Sequence, residues 1–177
     1  MICIECAFDT ARLVVSEWHS PMHAHRDLAA VVTELLTPSV TGPLPIEWQG
    51  EYSFERARSW IDERDAEGAV LLAADLNSDR VVGLLILHET VGPDDPDAVE
   101  IRLGYLLAES VWGQGHASEL IAGFVAWCRG QPRLRSIVGG VAPDNIASAR
   151  VLTKNGFVLT DDASPGGDQM YELVLRP

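Results

Sequence analysis

Val111-Trp112-Gly113-Gln114-Gly115-His116-Ala117-Ser118-Glu119 joins two stretches of different periodicity, and the fold turns on it. Upstream, Val99, Ile101, Leu103, Tyr105 and Leu107 alternate with Glu100, Arg102, Gly104 and Leu106, the period of a half-buried strand. Downstream, Ala117, Leu120, Ile121, Phe124, Val125 and Cys128 recur on one helical face. A helix starting here has first-turn N–H groups without intrahelical partners, and its macrodipole adds partial positive charge at the same end. A phosphate satisfies both. Gly113 and Gly115 lack Cβ atoms, so the main chain can take unusual dihedrals and be approached closely by a ligand. A dinucleotide fingerprint would want a third glycine where Ser118 stands and an acidic residue about twenty positions later. None occurs between Glu119 and Asp144. A P-loop would want Gly-Lys-Ser or Gly-Lys-Thr, and the stretch contains no lysine.

Length and charge bound the possibilities. The chain has 177 residues, 47% of them hydrophobic, enough for one core and too few for two ordinary domains, so residues 1–177 are expected to form a single domain. Its 26 acidic and 13 basic residues leave a net charge of -13, which argues against binding nucleic acid and welcomes cationic acceptors, though acidity also serves solubility alone. Cys3, Cys6 and Cys128 are an odd set with one member on an apolar helix face, which points to a reducing cytoplasm rather than a disulfide framework. Cys3 and Cys6 form a Cys-x-x-Cys pair, yet no second cysteine pair or suitable histidine pair completes a zinc site, and no metal is expected. Neither a basic start with an apolar run nor an apolar stretch of about twenty residues is present, so no signal peptide and no membrane partner are expected.

Leu13, Val14 and Val15 read as a first strand, followed by a helix carrying Leu28, Val31, Val32, Leu35 and Leu36. His19, His23 and His25 sit around Pro21, which interrupts the helical spacing a metal pair would need, so a solvated turn is expected there. Thr37 to Glu51 is rich in proline and glycine and reads as an irregular loop, unless a helical turn hides in it, ending at Trp48 and Tyr52; Ser53 caps a helix to about Arg64. Ala69–Ala74 and Val81–His88 form a hairpin about Asn77-Ser78-Asp79, and a second turn at Gly92 to Asp97 leads to the strand from Val99. These make a four-stranded meander. After the central helix come a strand over Ile137–Val141, a helix capped by Asp144 or Asn145 and ended by Gly156, and strands opening at Phe157 and spanning Tyr171–Leu175.

Trp112-Gly113-Gln114-Gly115-His116-Ala117 resembles the acyl-CoA pyrophosphate loop of the GNAT acetyltransferases, especially the branch that acetylates the N-terminal alanine of ribosomal proteins. The block from Asn145 to Asn155-Gly156-Phe157 is similar to the family's helix ending in Gly-Phe, and Thr10-Ala11-Arg12-Leu13 is a weaker third match. The resemblance implies an α/β GNAT fold: a mixed central sheet of about seven strands, mostly antiparallel with a splayed parallel pair, flanked by about four helices. It implies acetyl-CoA as co-substrate, held by Trp112, Gly113, Gln114, Gly115, His116, Ala117, Ser118 and Asn145. Backbone N–H groups around Leu106 and Leu107 would lie beside the thioester, and the pantetheine arm would pass the glycine pair Gly139-Gly140. Acceptor contacts would come from Trp48, Tyr52 and Arg102, although simple core packing accounts for the two aromatics equally well.

The expected reaction is transfer of an acetyl group to a primary amine, on a peptide N-terminus or a small molecule, by a monomer or homodimer. Many family members place a tyrosine where this chain has Leu152. Ser148 matches a serine suspected of serving the departing thiolate in the ribosomal-protein branch; it is also the third residue of a helix, where a capping role suffices. Family members often carry glutamate where Arg102 stands, so Glu100, one strand repeat away, is the candidate base, relaying through water; equally, Glu100 and Arg102 form an ion pair of little worth. A GNAT fold that only senses an acyl-CoA is the alternative.

Overall fold

Alternating side chains let one sheet carry a different helical layer on each face. The computed structural model describes residues 6–91, 98–163 and 166–176, with 161–163 as backbone only. In them lie strands β1 (Ala7–Asp9), β2 (Leu13–Glu17), β3 (Ala69–Asp75), β4 (Val81–Val91), β5 (Val99–Leu107), β6 (Leu134–Val141), β7 (Val158–Ala163) and β8 (Gln169–Val174). Their order in space is β1-β2-β3-β4-β5-β6-β8-β7. All neighbours are antiparallel except β5 and β6. The helices are α1 (Leu28–Leu35), α2 (Pro38–Thr41), α3 (Phe54–Glu67), α4 (His116–Arg129) and α5 (Ile146–Lys154).

This is the expected mixed sheet with one parallel pair, larger by one strand and one helix. β1 has only three residues, too few for a period to register. In α2, Pro38 occupies the first turn, where its missing N–H is harmless, and the Thr37 side chain accepts from Val40 N, so a helical turn forms inside an apparent loop. The turn expected at 92–97 and the Cys3 half of the cysteine pair lie outside the described residues.

Ile101, Leu103 and Leu107 of β5 pack with Leu71, Leu85 and the α4 residues Leu120, Ile121 and Phe124. On the other face, Leu72, Leu84 and Leu106 pack with Val32, Leu35, Ala57 and Trp60 from α1 and α3. Leu106 and Leu107 thus serve opposite layers, as the two-residue period requires. Each fully buried large apolar side chain, such as Phe124, contributes about 1.5–3 kcal/mol.

The histidines near Pro21 take separate partners. His23 is buried, with Nε2 2.9 Å from Ser16 Oγ, and Arg26 Nε donates to its Nδ1 at 3.2 Å. An accepting Nδ1 makes the ring neutral, with Nε2–H donating to Ser16. Burial first, then the Arg26 charge, lowers its pKa. His19 meets Asp65 and His25 meets Asp79. Among the described residues, no helix is long and apolar enough to cross a membrane.

The β1–β2 hairpin is fastened to the start of α4. Gly123 makes the close approach possible: a Cβ there would lie 2.7 Å from Thr10 Cγ2 and 2.8 Å from Phe8 Cε2. Glu119 then accepts from Thr10 Oγ1 at 2.7 Å, Arg12 N at 2.8 Å and Arg12 Nε at 2.6 Å. Burial raises the Glu119 pKa, but hydrogen bonds from Thr10 and Arg12 and the guanidinium charge outweigh it, so the net shift is downward. A depressed carboxyl pKa stabilises the fold above the ordinary value of 4.5, and that stabilisation is lost as pH falls through the folded-state pKa. Glu119→Gln is therefore expected to lower Tm at pH 7, with the gap to the parent closing below the ordinary carboxylate value. Thermal melts of both proteins across pH 3–7 test this; a gap independent of pH would assign the loss to packing.

Candidate active site

β5 and β6 pair only from Val99↔Leu134 to Arg102↔Val138. Beyond this, Gly139, Gly140 and Val141 stay with β8, while β5 stays with β4 as far as Leu107↔Gly83. A gap therefore opens beside residues 103–107. Ala108 N donates to Val82 O at 2.9 Å, on the β4 side. The Leu107 carbonyl belongs to the same trans peptide plane and must point the other way, into the gap. By strand alternation Leu107 N–H and both polar groups of Tyr105 face the gap too, whereas Leu106 N–H and C=O face β4. Two contacts agree: a Cβ at Gly83 would lie 2.8 Å from Leu106 O, and one at Gly139 would lie 3.4 Å from Leu103 O.

The end of β5 leads into the loop expected to cradle an anion. Gly113 (φ 69°) and Gly115 (φ 82°) are left-handed, and Gly115 is the N-cap of α4 with no side-chain cap. The first main-chain bond of α4 is Glu119 N to Gly115 O at 3.1 Å, so the preceding N–H groups of the first turn point out of the helix end. Arg12 stands beside them, with Nη1 donating to Gln114 O at 3.0 Å. His116 is buried here, and its Nδ1 has no partner among the described residues.

A cleft of about 510 Å³ joins cradle and gap. Leu106, Leu107, Trp112, Gly113, Gly115, His116, Ala117, Ser118, Asn145 and Ser148 all line it. Gln114 does not; its Nε2 donates to Ser110 O at 2.8 Å, pointing away along the loop. Leu106 contributes only its side chain, since its N–H faces β4, so the donor expected from this pair is Leu107 N–H alone. Asn145 Oδ1 accepts from Ser148 N at 3.1 Å, capping α5, which leaves the Ser148 hydroxyl outside the cap.

The other expected residues lie elsewhere. Glu100 accepts from Ser136 Oγ at 3.2 Å, six residues before Leu106, roughly 20 Å along the strand. Arg102 is exposed opposite His88. Neither lines the cleft. Trp48 and Tyr52 pack around Trp60, with ring centroids at 5.6 and 6.3 Å, and Tyr52 Oη donates to Trp48 O. Buried Arg64 stacks 4.3 Å from the Trp48 ring, so both aromatics build the core beneath α3 and leave the cleft wall to others.

That wall is Val40, Pro43 and Leu44, from α2 and the residues after it, together with Val111. Tyr105 was read only as a strand residue; its ring lines the cleft, its Oη makes a long 3.4 Å bond to Ser148 O, and burial raises its pKa, outweighing the bond to Ser148. Its odd position beside Gly104 could have placed it on the gap side of the strand, but nothing in sequence brings it to α5. Among the described residues, no Asp or Glu lines the cleft. A second cavity of about 350 Å³ holds Arg26, Glu34, Thr37, Arg80 and Glu109, whose charges are taken up internally: Arg80 meets Glu34 at 3.0 Å, Arg26 meets Asp79, and Thr37 donates to Glu109 at 2.6 Å.

A family model described as an acetyltransferase (GNAT) domain matches residues 20–158. No curated protein gives a significant match. Among solved structures, a GNAT-family acetyltransferase from Bacillus anthracis superposes with a TM-score of 0.75 at 16% identity, covering 96% of this chain and 99% of its own. A ribosomal L7/L12 alpha-N-protein acetyltransferase in complex with coenzyme A gives 0.70 at 19% identity, covering 96% and 98%. An acetyltransferase from Agrobacterium tumefaciens gives 0.61 at 23% identity, covering 95% and 94%. At such identities these neighbours show the fold.

The cradle makes a prediction of its own. At φ 82° a β-branched residue is strained by about 1–3 kcal/mol, and its side chain would stand between the main chain and any anion. Gly115→Val should lower Tm and weaken binding of inorganic pyrophosphate at least tenfold by calorimetry. Undiminished affinity in a folded variant would remove the cradle from the site.

Proposed function

Since the chain belongs to the GNAT acetyltransferase family, we propose that it moves an acetyl group from acetyl-CoA to a primary amine, on a protein N-terminus or a small molecule, by direct attack. The observation that carries this is the continuity of the uncapped α4 N-terminus with the open β5 edge in a single cleft. A diphosphate at the cradle would meet the first-turn N–H groups, and an amide-bearing arm would lie along the edge as an added strand. The thioester carbonyl then falls at Leu107 N–H, a donor held rigidly by the sheet.

Attack by the amine lone pair forms the C–N bond, cleavage of C–S releases the thiolate, and the thiolate takes a proton while the new ammonium centre loses one to water. A thiol with pKa of roughly 8.5 needs only a weak proton donor. Ser148 Oγ fills that role, with Tyr105 Oη close by on the same wall. With no carboxylate in the lining among the described residues, the acceptor amine would arrive neutral; an α-amino group, with a pKa of about 7.7–8.0, does so far more readily than a lysine at about 10.4. The apolar Val40, Pro43 and Leu44 wall favours an acceptor with an apolar group beside its amine. We read Glu100 as a structural partner of Ser136 and residues 1–177 as one catalytic domain. Cys6 and Cys128 are free and buried; burial pushes up both thiols, Cys6 helped by its neighbours Cys128 and Glu17, and Cys128 to about 12. We read the chain as cytoplasmic, since free cysteines suit a reducing compartment.

That no carboxylate lines the cleft among the described residues also favours a second role, binding acyl-CoA without turnover. Free-thiol release from acetyl-CoA over a panel of amines and peptides separates the two. In an active pairing, Ser148→Ala should lower kcat about ten- to a hundredfold while leaving the acetyl-CoA KM within about twofold, since the contact is made mostly in the transition state. Unchanged kcat would return Ser148 to the helix cap.

A further inference from the structure

We propose that Trp112 is a positioning residue that fixes where the thioester carbonyl stops along β5, by occupying the last acceptor on the open edge. This rests on the acetyl-CoA reading above and deepens it. The indole Nε1 donates to Leu107 O at 2.8 Å. The Leu107–Ala108 peptide plane is thus pinned from both sides, by the indole in the gap and by Val82 O on β4.

In chain order the gap-facing groups are Tyr105 N–H, Tyr105 C=O, Leu107 N–H and Leu107 C=O. An amide lying along such an edge uses a donor and an acceptor together, because it carries both C=O and N–H. With Leu107 C=O already bonded, the edge ends in a donor alone. A thioester is the complement of that end: it has a carbonyl, and sulfur where an amide has N–H. An arm shifted one step further would bring an amide N–H to a carbonyl whose gap side the indole already fills, leaving one lone pair and little room to reach it. Trp112 therefore sets register as well as strand-end geometry. The ring is 50% exposed and lines the cleft, so packing alone gives no reason for indole over phenyl at this position.

Calorimetry with CoA and acetyl-CoA, which needs no acceptor, tests this. The parent should prefer acetyl-CoA by about three- to tenfold, the worth of one ordinary hydrogen bond. Trp112→Phe should abolish that preference, weakening acetyl-CoA about three- to tenfold more than CoA. A preserved preference overturns the proposal, and so does equal loss of both affinities in a folded variant, which would assign Trp112 to packing of the cradle. In the parent itself, the Trp112 indole N–H should exchange slowly with solvent despite the exposed ring and remain protected on titration with CoA; release of that proton by CoA also overturns it. If the parent binds neither ligand, the acetyl-CoA reading itself fails.

Discussion

Backbone polar groups in a sheet must find partners, and a sheet that divides leaves a row of them open. Here the division begins after Arg102↔Val138, and the candidate site follows from it. Gly139 permits the last close contact, with Leu103 O and Leu152 Cδ1 both 3.4 Å from where a Cβ would be. Above it, Tyr105 fills part of the opening and touches α5 through Ser148. Leu103 and Leu107 anchor β5 to α4 on one face and Leu106 anchors it to α1 and α3 on the other, so the open edge is held by two cores.

The charge balance sharpens the question of how this protein would hold an anion. With 26 acids against 13 bases, its long-range field repels one. Arg12 beside the cradle is itself neutralised by Glu119 at 2.6 Å. Attraction must then come from oriented N–H groups at short range, where a helix N-terminus contributes about 0.3–1 kcal/mol in exposed settings and up to about 2 kcal/mol when partly buried.

Much of this was legible in the chain. The alternation of Val99 to Leu107, the glycines of the loop and the Asn145 cap are local signals, each completed within a few residues, and they locate the strand, the left-handed turn and the second helix. For Trp48 and Tyr52 the sequence leaves core and pocket both open, because an aromatic residue destined for one and an aromatic residue destined for the other look alike. Glu100 and Arg102 share a face with Leu106, but no local signal shows that the sheet divides only beyond both of them. The contact of Tyr105 with Ser148 spans 43 residues and exists only after the sheet has formed. α2 was concealed by the very proline that begins it.

The fastening of the N-terminal hairpin to α4 has a consequence for protein engineering. Arg12 grips the Glu119 carboxylate and the Gln114 carbonyl at once, and Gly123 keeps the hairpin close enough to do so. The glycine loop is therefore not a portable cassette. Transplanting residues 111–119 into a related scaffold would separate the loop from a brace supplied a hundred residues earlier in the chain. A graft that keeps its shape must bring Thr10, Arg12 and a small residue at position 123 along with it, and sequence drift at any one of these sites constrains what the others can become.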